Sequence, residues 1–159
     1  MADDRPETDQ QKGTVQAIAH AKQGSGGEGT WAPPHDLEAH LQAVAELAAT
    51  AARRFNAADW AHLAGLWHDL GKYRPGFQKY IRRVSGFEAD AHIKGESGKA
   101  PHSTAGALLA CDRHGEAGRV LAYLIAGHHA GLDDWHGGLA TRLSLPASRA
   151  ELDEALAHL

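Results

Sequence analysis

A second cysteine is missing from this chain: Cys111 stands alone, so no internal disulfide can form. That fits a reducing cytoplasm, which is the expected location. Long apolar runs are missing too. None reaches the roughly 20 residues that a membrane-spanning helix needs, so no membrane partner is expected. The N-terminal MADDRPETDQQK is acidic and polar, without the apolar stretch of a secretory signal. Positive charge is in short supply: 16 Lys plus Arg face 20 Asp plus Glu, for a formal net charge of −4. This balance argues against a broad basic face for nucleic acid and leaves room only for a small basic patch beside a site. No segment alternates apolar and polar residues convincingly, and neither an internal repeat nor a P-loop sequence is found.

What the chain does have is helical patterning. With 159 residues and 43% hydrophobic content it is long and apolar enough for one globular domain. Residues 1–12 read as a disordered tail and residues 13–159 as the domain. Residues 13–23 hold a short strand or a helical turn, GSGGEG is a flexible loop, and Pro33-Pro34 bars helix just before residue 35. A helix is expected over about 36–54, capped by Asp36, with Leu37, His40, Leu41, Val44, Leu47, Ala48 and Ala51 on its apolar stripe. A second is expected over about 58–70, capped by Asp59 and stopped near Gly71, with Trp60, Leu63, Ala64, Trp67 and His68 on its stripe. Further helices are expected at about 75–83, 103–114 and 118–129, the last ended by Gly131. Residues 85–101 and 130–147 read as loops. Ser148 and Glu151 have capping-box spacing, so a final helix starts there and runs to the chain end with no C-cap signal. The expected architecture is an all-α bundle.

The second abundance is histidine, 12 in all. With 12 His and 11 Asp in 159 residues, about one His-Asp pair arises by chance, so the dipeptide alone carries little. His35-Asp36 illustrates the point, because Asp36 is better read as a helix cap. His68-Asp69 differs: it sits at the last turn of a strongly apolar helix, in AGLWHDLGKY. A buried ionised carboxylate is costly unless paired or metal-bound. Other histidines occupy similar places: His40 within the first stripe, His102 opening the helix of PHSTAGALLA, and His128-His129 closing the helix of YLIAGHHAGL. Taken singly, each has a bland reading as a core, capping or surface histidine. Taken together, on apolar faces of successive helices, they read better as ligands. Gly65, Ala105, Gly106, Gly127 and Gly131 would let those helices approach closely. His20, His35, His62, His92, His114, His136 and His158 lack this setting and read as structural or solvated.

Five imidazoles and one carboxylate are too many for one tetrahedral zinc. They suit two divalent first-row metals sharing a bridging carboxylate, a pair that hydrolyses phosphoesters well. Manganese, nickel, cobalt or iron fit such imidazole-rich ligation better than magnesium. Lys72, one turn beyond His68, either directs its ammonium at a bound phosphate or is a solvated lysine after a helix C-terminus.

In this order, His, then His-Asp, then His, then His-His, the residues resemble the HD-domain metal-dependent phosphohydrolases. The wording of EAHLQAVAELA, LAGLWHDLGKYRPGFQKYI, PHSTAGALLA and AGHHAGLDDW, with IAHAK at 18–22, is narrower. It resembles the HD nuclease domain of the CRISPR-associated type I helicase-nuclease over roughly residues 15–135. The resemblance implies an all-α, metal-dependent nuclease acting on single-stranded DNA. Its implied partners are a helicase domain, in cis or in trans, and the CRISPR surveillance complex. By motif, His40, His68 and Asp69 would hold one metal, and Asp69 would bridge to a second held by His102, His128 and His129. Asp69 and Lys72 would be the catalytic residues, Lys72 matching the family's motif lysine.

One departure follows. The family pattern has a further aspartate well downstream, on a later helix, completing the first metal's shell. Asp133 and Asp134 come too early for it, and Asp153 lies where a connecting helix is expected. With the uncapped last helix and the missing helicase motifs, this leads to the expectation of a C-terminally truncated or split form. Its second metal shell would be complete and its first incomplete. Two other functions stay open: a nucleotide or cyclic-dinucleotide phosphohydrolase on the same scaffold, and a catalytically incomplete module that binds metal or a partner. Arg53-Arg54, Arg74, Lys79 and Arg82-Arg83 either track a DNA backbone or form ordinary solvated helix faces, the commoner case. Trp31 and Trp135 either stack on bases or pack under loops.

Overall fold

Asp36 starts the helical part of the chain. Its backbone is extended and its carboxylate accepts the Ala39 N–H at 2.7 Å, which satisfies an otherwise unpaired donor at the start of helix α1, Leu37–Ala52. The computed structural model describes residues 16–20, 35–84 and 101–159. The tail at 1–12, the GSGGEG loop, the Pro33-Pro34 break, Trp31, His92 and the loop over 85–100 lie outside the described residues. Among those described, α1 is followed by α2 (Ala58–Trp67), α3 (Pro75–Val84), α4 (Ser103–His114), α5 (Gly118–Gly127), α6 (Ala140–Leu143) and α7 (Pro146–Leu156). None of them is long and apolar enough to cross a membrane.

The helical architecture is as expected, and of the two alternatives for residues 13–23 the described part takes the short strand. Strand β1, Ile18–His20, pairs antiparallel with β2, His35–Asp36, setting Ile18 opposite Asp36 and His20 opposite His35. Strands of three and two residues are too short to carry a readable period.

Helix α4 is the centre of the bundle. Every residue from Thr104 to Ala110 is buried, as expected of a helix that is apolar or small all round. It packs against α2, α5, α6 and α7, and Leu108, Leu121, Ile125, Leu139 and Leu152 fill the main core. Ala19, Leu37 and Leu41 form a smaller cluster that seals β1 onto α1. The buried line of α1 is Leu37, Leu41 and Ala45, whereas Leu47, expected on that stripe, is 72% exposed. The line turns towards Ala45 because Gly65 of α2 lies directly on the Ala45 backbone, the close approach anticipated for Gly65.

Several boundaries differ from expectation. Helix α2 is entered from Ala57 with no side-chain cap, and Asp59 sits within the first turn, where its charge favours the helix dipole. Helix α5 ends at Gly127, and Gly131 closes the following turn with φ +81° and its N–H on the Gly127 carbonyl. The stretch read as loop at 130–147 winds into a π turn, Trp135–Leu139, and then α6, because Asp134 caps the turn through the Gly137 N–H at 2.6 Å. Helix α7 starts at Pro146 rather than Ser148, since the Ser148 hydroxyl donates to the Arg142 carbonyl at 2.6 Å and ties α7 back to α6. It closes at Leu156, with the Ala157 N–H on the Asp153 carbonyl, where no C-cap was expected.

Candidate metal centre

Helix α2 stops where α4 crosses it. Gly106 of α4 lies so close to the Trp67 carbonyl that a Cβ there would collide with it, and His68 is the residue that closes α2. The chain then turns through Asp69 into a 3-10 turn, Leu70–Tyr73. That turn is hooked to the residue preceding α4: the Gly71 N–H donates to the His102 carbonyl at 3.1 Å. His40 comes from the first turn of α1, and His128 closes α5 with His129 beside it. Four helix segments therefore deliver side chains to one point.

At that point lies Asp69, only 2% exposed. Its two oxygens face different partners. Oδ2 is 3.1 Å from His68 Nε2, 3.5 Å from His40 Nε2 and 2.9 Å from the Lys72 ammonium. Oδ1 is 3.3 Å from His102 Nε2 and 3.5 Å from His128 Nε2. Two donor groups share this carboxylate. Asp69, His102, His128 and His129 each bring a ligand atom within 4.8 Å of the others, and so do His20, His40 and Asp69. His68 Nε2 is also 3.3 Å from His40 Nε2, on the Oδ2 side.

Two of the imidazoles are oriented by backbone carbonyls. His68 Nδ1 lies 2.7 Å from the Gly65 carbonyl and His128 Nδ1 lies 2.6 Å from the Ile125 carbonyl. A carbonyl only accepts, so both Nδ1 atoms carry the proton, and in the neutral rings Nε2 presents its lone pair to the cluster. Among the described residues, Asp69 Oδ1 and His128 Nε2 are buried without a hydrogen-bond partner. A buried anion and a buried lone pair left in that state are costly. A divalent cation between them satisfies both, so the residues fit a metal centre. Imidazole with carboxylate suits first-row transition metals.

Burial pushes the Asp69 carboxyl up, but His128, His40 and His68, together with the Lys72 charge, outweigh it and hold the group far below the usual carboxylate range. Burial pulls His68 down, yet the adjacent Asp69 anion raises it overall.

Lys72 is placed differently from the sequence expectation of an ammonium facing a phosphate or solvent. It is fully buried, and its Nζ is spent on Asp69 Oδ2 and on the Ala19 carbonyl at 3.1 Å. Arg74 is likewise structural: it donates to the Gly71 and Pro101 carbonyls and pairs with Glu151 of α7 at 3.6 Å. Arg82 donates to the Gln16 carbonyl at 2.9 Å, which ties α3 to the start of β1. Trp135 packs under its turn, 5.5 Å from Tyr123 between ring centroids, with Arg119 over its other side.

The six residues proposed as ligands from sequence, His40, His68, Asp69, His102, His128 and His129, are brought together. Asp133 and Asp134 are engaged in the π turn and Asp153 is exposed on α7. Neither donor group contains a second carboxylate among the described residues. Sequence reasoning missed His20, set aside as structural or solvated, whose ring meets that of His40 edge-on at 4.8 Å. Its only signal was the short IAHAK segment, which has no helical period.

Comparison with known families matches residues 37–153 to the HD domain. That span contains all six expected ligands and leaves the whole β1–β2 pair outside. No curated protein matches the chain.

Proposed function

The chain belongs to the HD domain family of metal-dependent phosphohydrolases, and from that premise we propose that it is a nuclease hydrolysing phosphodiester bonds of single-stranded DNA. The observation that carries the hydrolase chemistry is the division of Asp69, whose two oxygens serve two separate imidazole groups. Two divalent metals bound there would supply a hydroxide nucleophile near neutral pH and neutralise the phosphoryl oxygens.

The chain's own residues do the rest. Asp69 spans both donor groups and fixes their separation. His68 and His128 keep their protons on Nδ1, away from the reacting side, because the Gly65 and Ile125 carbonyls hold them there. Lys72 acts as a positioning residue: it fixes the Asp69 rotamer and touches no substrate from its buried place.

Accessibility favours a polymer over a small anion. The side chains of His40, His68 and His128 are 16–18% exposed, and His129 is exposed. The ligand edge is therefore met from the surface, which suits one phosphodiester of a long strand lying across it. The motif wording supports a narrower reading, the HD nuclease of CRISPR-associated type I systems, with a helicase and the surveillance complex as partners.

The test is incubation of the purified chain with circular single-stranded DNA and manganese, beside an Asp69→Ala control and a panel of nucleoside phosphates and cyclic dinucleotides. Cleavage of the circle that disappears in the control is the expected result. Hydrolysis of the small substrates alone would replace the nuclease by a nucleotide phosphohydrolase. Metal binding without any hydrolysis would reduce the chain to a catalytically incomplete metal-binding module.

A further inference from the structure

Strand β1 precedes the span matched by the HD domain, yet two buried polar side chains, Lys72 and Gln78, are spent on holding it in place. Gln78 of α3, 6% exposed, accepts the Ile18 N–H at 2.9 Å and donates to the Ile18 carbonyl at 3.0 Å. The same amide nitrogen reaches the Lys72 carbonyl at 2.8 Å. Lys72, fully buried, donates to the Ala19 carbonyl while its ammonium pairs with Asp69. Ala19 itself is fully buried against Leu37 and Leu41. The residue after Ala19 is His20. One ammonium thus fixes both the bridging carboxylate and the backbone that carries this histidine.

The outcome of that tethering is a donor set. His20 offers a ring nitrogen that lies, with one atom each of His40 and Asp69, in a group spanning no more than 4.8 Å. His40 Nε2 in turn sits 3.3 Å from His68 Nε2, and both face Asp69 Oδ2. The Oδ1 side of Asp69 has three imidazoles, from His102, His128 and His129. The Oδ2 side has only two from the helices, His40 and His68.

Resting on the metal-centre reading above, we infer that His20 is a ligand of the metal on the Oδ2 side of Asp69, alongside His40 and His68. His20, His40 and His68 would then hold the metal on the Oδ2 side, and His102, His128 and His129 the one on the Oδ1 side. A short strand outside the HD span supplies the donor for which a distant aspartate was expected. His35, opposite His20 in the sheet, is exposed and belongs to neither donor group, but its ring meets that of His40 edge-on at 5.5 Å, so His35→Ala separates ring packing from ligation.

The test is calorimetric titration of manganese into the whole chain and into His20→Ala, His20→Asp and His35→Ala, with thermal melts of each. The wild type is expected to bind two equivalents. His20→Ala is expected to weaken one of them by about 100-fold or more, beyond the range lost when only a supporting partner is disturbed, and to leave the other unchanged. His20→Asp supplies a carboxylate donor in place of the imidazole and recovers part of the loss, and His35→Ala binds as the wild type does. A second readout needs no variant: in a zinc titration followed by imidazole nitrogen NMR, a His20 ring nitrogen shifts to its metal-bound position together with that of His40. Two wild-type equivalents with His20→Ala unchanged, or a His20 resonance that stays still while His40 moves, overturns this inference alone. A wild-type chain that binds no manganese overturns the metal-centre reading as well.

Discussion

His68 and His128 are set by one and the same device. Each is the residue that closes its helix, α2 or α5, and each turns Nδ1 back onto the carbonyl three positions earlier, Gly65 at 2.7 Å and Ile125 at 2.6 Å. Their rings meet edge-on at 5.2 Å, and their Nε2 atoms address opposite oxygens of Asp69. A helix end leaves its last carbonyls unpaired, so a histidine there gains a fixed tautomer and satisfies an orphan acceptor at once.

This arrangement predicts separable losses. His68→Ala is expected to weaken the manganese equivalent on the Oδ2 side, and His128→Ala the one on the Oδ1 side, each by about 100-fold or more, beyond the range seen for disturbing a supporting partner. Titration calorimetry of the two variants and of the double variant checks it. A single variant that removes both equivalents would contradict two separate donor groups.

Asp112 of α4 and Arg149 of α7 make a surface prediction with a pH sign. They form a forked pair at 2.5 and 3.0 Å. Arg149's hydrogen bonds lower the Asp112 carboxyl below its ordinary value, more than its slight burial raises it, and Arg149's charge adds to the lowering. The native state therefore holds this proton less tightly than the unfolded chain does. Its stabilisation is present above the unfolded value and is lost as pH falls through the lowered native value. Both side chains are more than a third exposed, so solvent screening keeps the effect to about 0.2–1 kcal/mol. Asp112→Asn should show that loss in urea denaturation at neutral pH, and the difference from wild type should close on acidification.

These particulars explain what the sequence made readable. α4 was legible to the residue because its small and apolar run is bounded by His102 and Gly115. The approach of His68, Asp69, His102 and His128 was legible because each polar group stands at the end of a helix that is apolar in sequence. His20 was not, since a three-residue strand has no period and its place depends on Gln78 and Lys72, far along the chain. The orientation of Lys72 was not legible either. A 3-10 turn gives no stripe to say which side faces inward, and the burial of the ammonium is decided by the Ala19 carbonyl. The winding of 135–143 was hidden by Gly137 and Gly138, which read as loop but are held in the turn by Asp134 and the following helix.

Gly71 offers a test of how the metal centre is registered. A Cβ at this position would collide with the backbone of His102, whose carbonyl accepts the Gly71 N–H. Backbone cannot swing aside as a side chain can. Gly71→Ala should therefore cost about 1–3 kcal/mol, the usual range for overpacking, and displace His102 from Asp69 Oδ1. Manganese affinity on the Oδ1 side should fall with it, while Gly76→Ala, in open space, should change neither. Thermal melts and calorimetry on both variants decide the point.

Lys72 makes the strongest prediction, because its charge is wholly enclosed. Lys72→Met keeps the length of the side chain and removes the ammonium, leaving the Asp69 carboxylate and the Ala19 carbonyl without their donor. Breaking one side of a buried pair costs about 3–5 kcal/mol, and urea denaturation of the metal-free variant should show a loss of that order. Metal should change the outcome. A divalent cation on Asp69 replaces part of the missing positive charge, so added manganese should stabilise Lys72→Met by more than it stabilises the wild type at equal site occupancy. The Ala19 carbonyl gains nothing from that cation, so the rescue should be partial and β1 should exchange its amide hydrogens faster than in the wild type. If Lys72→Met instead leaves stability and β1 exchange unchanged while DNA cleavage falls, the lysine acts on substrate rather than on Asp69 and β1.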